Sequence, residues 1–203
     1  MTTPVLLWAD VESDGLGPSA RLLEIGLRTT DADLTTLAER SWVIPYRPTE
    51  MGHLRRSADP VVQAMHDTSG LWKDCVRLWE SSDQHREETP LDREYFWRRD
   101  IASEILDWVR VNAPGKLPLA GSSVRADRDW LTAWAWGLDD LLHYRIVDVS
   151  TVKTLMHLWA KDRLADAPVP AKRHRVMPDL DDSIRELRFY RSILGLDVTT
   201  VAA

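Results

Sequence analysis

The sequence predicts a mixed α/β fold: a five-stranded sheet, part antiparallel meander and part parallel, flanked by helices. Three observations carry that expectation. Residues 5–46 hold three strand-length apolar segments separated by tight turns, a pattern that makes antiparallel neighbours. Beyond residue 90, helix-period segments alternate with short strands, and helical crossovers join parallel strands. Finally, 203 residues with 44% hydrophobic and 29% charged side chains suffice for one domain with an ordinary core and exclude a disordered or fibrous chain.

Val5-Leu6-Leu7-Trp8-Ala9-Asp10 is a short apolar run ending in a charge and reads as a buried strand. Gly15-Leu16-Gly17-Pro18-Ser19 is a turn. Leu22 to Thr30 is a second strand, Asp31-Ala32-Asp33 a tight turn, and Leu34 to Tyr46 a third strand. Pro60 to His66 and Leu71 to Trp79 are short helices, and residues 80–92 a polar loop. From about Arg93 to Asn112, Trp97, Ile101, Ile105 and Trp108 recur at helical spacing, which makes an amphipathic helix that Pro114-Gly115 ends. Leu117 to Ala120 is a strand, Asp127 to Trp136 a helix, Tyr144 to Val147 a strand, and Ser150 to about Lys161 a helix. The last helix starts near Pro178, a residue suited to the first helical position, and carries Leu180, Ile184, Leu187 and Leu194 on one side.

Composition narrows the function classes. Cys75 is the single cysteine, which excludes an internal disulfide framework and a Cys-rich zinc module. No apolar run approaches the roughly 20 residues that cross a bilayer, and the opening MTTPVLLWAD lacks the basic region of a secretory signal. The expectation is a soluble protein of a reducing compartment, the cytoplasm. The net charge is −6, and the basic residues form only short clusters such as Lys172-Arg173-His174-Arg175. A protein that tracks long nucleic acid carries a basic stripe instead. The ten tryptophans are spread along the whole chain, which suits packing better than one aromatic cage.

The acids are the chemically informative residues. Asp10 and Glu12 lie two apart at the end of the first strand, so alternation points both to one face. Two carboxylates this close repel unless a cation sits between them, and hard divalent cations take oxygen ligands. Asp127 follows a strand, Gly121 and two serines. His174 lies in a basic loop before the last helix. Asp179, Asp181 and Asp182 are all acids near that helix start, and composition does not choose among them.

The combination resembles the oligoribonucleases, within the DEDDh 3′→5′ exonucleases of RNase H-like fold. Leu7-Trp8-Ala9-Asp10-Val11-Glu12 followed by Gly15-Leu16 is similar to the family's first motif, and Leu23-Glu24-Ile25 to its next strand. His66-Asp67-Thr68-Ser69-Gly70-Leu71 resembles its His-Thr-x-Ser-Gly-Leu segment. Gly121-Ser122-Ser123 through Asp127-Arg128 and Leu131 resembles its second motif. His143-Tyr144-Arg145, then Asp148-Val149-Ser150-Thr151 with Lys153 and Leu155, is nearly the family's own stretch. The third motif, His-x-x-x-x-Asp, falls on His174 and Asp179, in register with the downstream Arg185-Glu186-Leu187 and Tyr190-Arg191.

The resemblance implies a single exonuclease domain over residues 1–203. It implies cleavage of short RNA to nucleoside 5′-monophosphates with two divalent ions, Mg²⁺ or Mn²⁺, about 4 Å apart. It implies Asp10, Glu12, Asp127 and Asp179 as ligands and His174 as general base, a role imidazole suits near neutral pH. Around the substrate it implies Leu16 as a wedge against a base, with Ser123, Ser150 and Thr151 on the far phosphate. It implies that Arg145 reaches across from the partner subunit of a homodimer, and that Tyr144 also binds substrate. Three departures stand out: residues 80–92 read as an insertion, Val61 replaces an aromatic residue, and Pro178 replaces an acid. Two rival readings carry forward: a DEDDh exonuclease trimming longer single-stranded DNA or RNA, and an inactive nucleotide-binding module.

Overall fold

A computed structural model gives the fold and describes residues 2–16, 20–82, 86 and 88–196. Its sheet has the order β3-β2-β1-β4-β5, built from β1 (Leu6–Ser13), β2 (Leu22–Thr30), β3 (Thr36–Val43), β4 (Leu119–Gly121) and β5 (Ile146–Asp148). β1, β2 and β3 pair antiparallel, while β4 and β5 join β1 in parallel. This is the mixed sheet that the strand spacing predicts. β3 is the outer strand of the meander, and its charged residues Glu39 and Arg40 suit an edge that must not pair further.

Seven α-helices complete the described chain: α1 (Pro48–Ser57), α2 (Pro60–Ser69), α3 (Leu71–Ser81), α4 (Pro90–Asn112), α5 (Val124–Trp134), α6 (Val149–Trp159) and α7 (Val176–Ile193). Strand alternation divides the core in two. Leu7, Ala9, Ile25 and Leu119 face α3, α4 and α5, where Cys75, Ile101, Ile105 and Leu131 are buried. Trp8 and Ala120 face α6 and α7, where Met156, Leu180, Ile184 and Tyr190 are buried. Trp8 is fully buried and donates its indole N–H to Thr30 Oγ1 at 3.0 Å, so the largest core side chain leaves no orphaned donor.

Several boundaries differ from the sequence reading. α1 has no counterpart in it, because the helix is polar on nearly all sides and buries only Met51. Its signals are weak ones: Pro48 in the first turn with Glu50, and Arg55 and Arg56 in the last. The polar loop at 80–92 is shorter than expected, since α3 runs to Ser81 and α4 starts at Pro90 behind a Thr89 cap. Residues 83–85 and 87 of that loop, and 17–19 of the Gly15–Ser19 turn, lie outside the described residues. α5 starts at Val124, so Asp127 sits a turn inside the helix, and Trp136 lies beyond its end, 91% exposed. α7 starts at Val176, so Pro178 is its third residue; it still falls in the first turn, where backbone N–H groups have no intrahelical acceptor. Leu194 is past the end of α7 and half exposed.

Two glycines set how closely helices approach the site. A Cβ on Gly26 would stand 2.6 Å from Cβ of Val176, so only glycine lets the start of α7 lie on β2. A Cβ on Gly121 would stand 2.6 Å from the Ala9 carbonyl oxygen, so glycine also admits the turn from β4 into α5.

Candidate active site

β1 brings the first two acids to the centre of the sheet. Asp10 pairs with Gly26 and Glu12 with Glu24, and a register shift follows Glu12. Alternation puts Trp8, Asp10 and Glu12 on the face that α7 crosses. β4 pairs with β1 only at Leu7 and Trp8, so beyond Ala9 that side of β1 has no strand beside it. Asp127 occupies the gap from α5: its Oδ1 accepts the Val11 N–H at 3.1 Å. α7 supplies Asp179, and the turn before it supplies His174, whose φ of 52° is left-handed.

Glu12, His174 and Asp179 each offer a ligand atom, and the three atoms lie within 4.8 Å of one another. Asp10, His174 and Asp179 line one cavity of ≈ 380 Å³, with Ser122, Ser150 and Lys153 on its other wall. Asp182 lines this cavity as well, but the three acids near the start of α7 differ in their partners. Asp181 pairs with Arg28, and Asp182 accepts the Ala171 N–H at 2.6 Å. Asp179 Oδ1 is buried and, among the described residues, has no hydrogen-bond partner. A buried carboxylate oxygen with nothing to accept from is costly unless a cation takes its place. The donor set therefore fits a hard divalent ion: all oxygens, apart from one imidazole.

Electrostatics tells the same story. Burial pushes Asp10 well above the ordinary carboxylate range, and the charges of Asp127, Glu12 and Asp179 push it further. Glu12 is pushed up to about 8, by burial first and then by Asp179 and Glu24, with Arg175 opposing. Asp127 is pushed up to about 7 by burial, against the Val11 N–H. Asp179 is raised by burial, with His174 opposing. A carboxyl raised in the folded state holds its proton more tightly there. It stabilises the fold below its ordinary value and loses that contribution as pH climbs to the folded value. Metal-free protein should thus lose thermal stability as pH rises from the ordinary 4.5 of Glu12 towards about 8. Mg²⁺ or Mn²⁺ should raise the melting temperature more at the alkaline end of that window than at the acid end. Calorimetry on chelator-treated protein checks this; a flat profile, or an equal metal shift at both ends, would contradict it.

His66 backs the site. It is buried, its Nε2 is 2.9 Å from the Ser13 carbonyl oxygen, and Glu12 Oε2 is 3.9 Å away. Its ring stands edge-on to Trp72, and burial lowers its proton affinity. Val61 is exposed on a neighbouring cavity that it shares with Ala64, Met65, Lys172 and His174.

The remaining residues fall into two places. Ser123, Ser150 and Thr151 gather around Asp148, the cap of α6. Asp148 Oδ1 accepts from the Ser123 N–H at 2.8 Å and the Ser150 N–H at 3.0 Å, and Oδ2 accepts from the Thr151 hydroxyl at 3.1 Å. The two serine hydroxyls are 3.1 Å apart. Asp148, which the sequence shows as part of the family stretch without a site role, organises this group; its signal is the Asp-Val-Ser-Thr spacing of an N-cap. Tyr144 and Arg145 do not reach the His174 cavity of their own chain. They line a separate cleft with Arg125 and Arg128, Tyr144 74% exposed and the Arg145 guanidinium over its ring. Leu16 is fully exposed on the loop after β1.

No family model matches the chain. Among solved structures it is similar to exonuclease I of Escherichia coli in a zinc-bound complex with single-stranded DNA. The TM-score is 0.59 and the identity 13%, over 96% of this chain and 42% of that one. Exonuclease I of Methylocaldum szegediense gives the same TM-score of 0.59 at 16% identity, over 92% and 40%. The chain thus spans about two fifths of those proteins. Its fold is that of the RNase H-like exonucleases. Among curated proteins, it is 34% identical over 192 residues to an oligoribonuclease of Streptomyces avermitilis, covering 93% of this chain and 86% of that one. It is 36% identical over 189 residues to the mitochondrial oligoribonucleases of Bos taurus and Homo sapiens, covering 92% of this chain and 72% of each. The chain belongs to the oligoribonuclease family.

Proposed function

We propose that the protein is a 3′→5′ exoribonuclease that hydrolyses short RNA oligonucleotides to nucleoside 5′-monophosphates. The observation that carries this reading is the meeting of Glu12, His174 and Asp179 ligand atoms within 4.8 Å beside Asp10, in a chain of this family. Asp10, Glu12, Asp127 and Asp179 would hold two divalent ions, Mg²⁺ or Mn²⁺. Bound there, the ions would supply charge stabilisation for the phosphate and a lowered pKa for the attacking water. His174 takes the proton from that water. The new P–O bond forms as the P–O3′ bond breaks, so the terminal nucleotide leaves with a 5′ phosphate and the shortened chain keeps a 3′ hydroxyl. Trp8, on the same face of β1 as Asp10 and Glu12, and Val176 against Gly26 are fully buried.

Leu16 stacks on a base, and the Ser123 and Ser150 hydroxyls donate to the far phosphate, where Thr151 joins them by turning its hydroxyl away from Asp148. Tyr144 and Arg145, which face away from their own cavity, reach the site of a second copy in a homodimer. Arg suits the phosphate because its planar fork pairs with two oxygens. Light scattering at low micromolar concentration should give twice the chain mass; a fully active monomer would refute the shared site. The catalytic unit is a single domain, with residues 80–92 an insertion relative to the family. Among the described residues no helix is long and apolar enough to cross a membrane. We place the enzyme in the cytoplasm, where the lone buried thiol of Cys75 stays reduced.

Net charge favours a short substrate. A long strand is held by many phosphate contacts and successive base stacks, and the net charge of −6 does not provide the first. The test is competition between labelled 5′-phosphorylated dinucleotide and a strand of about 20 nucleotides, as RNA and as DNA, at fixed salt. The dinucleotide should win by at least about tenfold in kcat/KM, roughly 1.4 kcal/mol of transition-state preference. Equal or better use of the long strand would replace this reading with a general single-strand exonuclease. No cleavage of either would leave a nucleotide-binding module.

A further inference from the structure

Beside the catalytic group stands an ion-pair cluster that the mechanism does not use. Arg175 follows His174 and is the last residue before α7. Its Nε donates to Glu24 Oε2 at 2.8 Å and its Nη2 to Glu24 Oε1 at 3.1 Å, a two-pronged grip on one carboxylate. Its Nη1 donates to Asp74 Oδ2 at 2.8 Å. Glu24 Oε2 also accepts the Val176 N–H at 3.3 Å. That N–H opens α7 and has no intrahelical acceptor. So β2, α3 and α7 meet at one guanidinium, immediately next to the proposed base.

Three features separate this cluster from an ordinary surface pair, which contributes little. The Glu24 side chain is only 4% exposed, so its charge is costly unless paired. Glu24 lies directly opposite Glu12 in the β1–β2 register, and like charges so placed destabilise a sheet. Arg175 turns that liability into an anchor by drawing the Glu24 carboxylate onto itself. Finally, Lys172 and His174 both have left-handed backbones, at φ 47° and 52°. Residues other than glycine avoid that region, so the turn persists only because something beyond it holds the chain.

We propose that Arg175 is a positioning residue for the hydrolysis: its fork on Glu24 and Asp74 fixes the left-handed turn that aims the His174 imidazole at the cavity. The proposal rests on the reading of His174 as base. Arg175 touches neither substrate nor the reacting atoms; it acts through its neighbour.

The test uses the full chain with Mn²⁺ and 5′-phosphorylated dinucleotide. In Arg175→Gln, amide hydrogen exchange should quicken over residues 172–177 while the rest of β2 and α7 keep their protection. Its kcat should fall by about 10–100-fold, the usual cost of losing a group that orients an active-site ligand, with KM unchanged within about twofold. Arg175→Lys, which keeps the charge and loses the fork, should fall between. Adding Arg175→Gln to His174→Ala should cost nothing further, because residues that act through one another are not additive. An additive double variant would overturn the proposal in favour of a general structural role. So would an unchanged kcat, or protection lost throughout α7. If Arg175→Gln does not fold, Asp74→Asn and Arg175→Lys carry the same measurements. The underlying reading fails separately: a fully active His174→Ala would refute the base whatever Arg175 does.

Discussion

Asp10→Ala and Asp179→Ala should each give a folded protein that releases mononucleotide from dinucleotide RNA at least about 10³-fold more slowly than the unaltered chain. The magnitude follows from the several kcal/mol that paired cations contribute to a phosphoryl transition state, at about 1.4 kcal/mol per factor of ten. Asp10 lies at the centre of the sheet, raised by burial and by four neighbouring carboxylates. Asp179 has a buried oxygen that no described residue satisfies. Neither is needed to hold the fold, since removing like charges from a crowded site relieves repulsion. Asp181→Ala and Asp182→Ala should stay within about threefold, because those acids bind Arg28 and the Ala171 N–H instead. Circular dichroism reports the fold and mononucleotide release the rate. Either Ala variant at full speed would sink the carboxylate assignment, and a dead Asp182 variant beside a live Asp179 variant would move the ligand by three residues.

His174→Ala should lower kcat by about 10²–10⁴-fold, the range for loss of a positioned general base, with KM changed little. The imidazole lies with Glu12 and Asp179 at the acidic cavity, and it borders the cavity that holds Val61 alongside Lys172. If it acts as the base, removal of the ring should affect the step more than the grip on the substrate, which Lys172 and Val61 still line. Rapid-quench kinetics with saturating metal measures the two separately. A variant that loses binding and keeps its single-turnover rate would make His174 a substrate contact.

What could be read from the sequence was whatever is local. The apolar run through Trp8 and Ala9, and the helical recurrence of Ile101 and Ile105 in α4, are written in neighbouring residues, and the sheet and its helices follow from them. α1 was illegible because burying Met51 alone leaves no apolar stripe to detect. The choice among Asp179, Asp181 and Asp182 came from the resemblance. From the residues alone it was open, since three acids within four positions look alike until packing sends Asp181 to Arg28 and Asp182 to Ala171. The grip of Arg175 on Glu24 joins residues 151 apart, and no periodicity connects them. The Asp148 cluster shows an intermediate case: its cap spacing was visible, while its bond to Ser123 on another element was not.

The brevity of β4 has a consequence for dissecting the enzyme. The sheet stops short on one side of β1, and the Asp127 carboxylate stands where the next residue of a longer strand would have offered its carbonyl. On the proposed assignment, one side chain is thus both part of the scaffold and part of the chemistry. Truncating it to alanine strips the scaffold and the chemistry at a stroke, and the resulting inactivity could not be credited to either. Asparagine at that position retains an oxygen for the Val11 N–H and surrenders the charge. It is the substitution through which architecture and catalysis can be told apart.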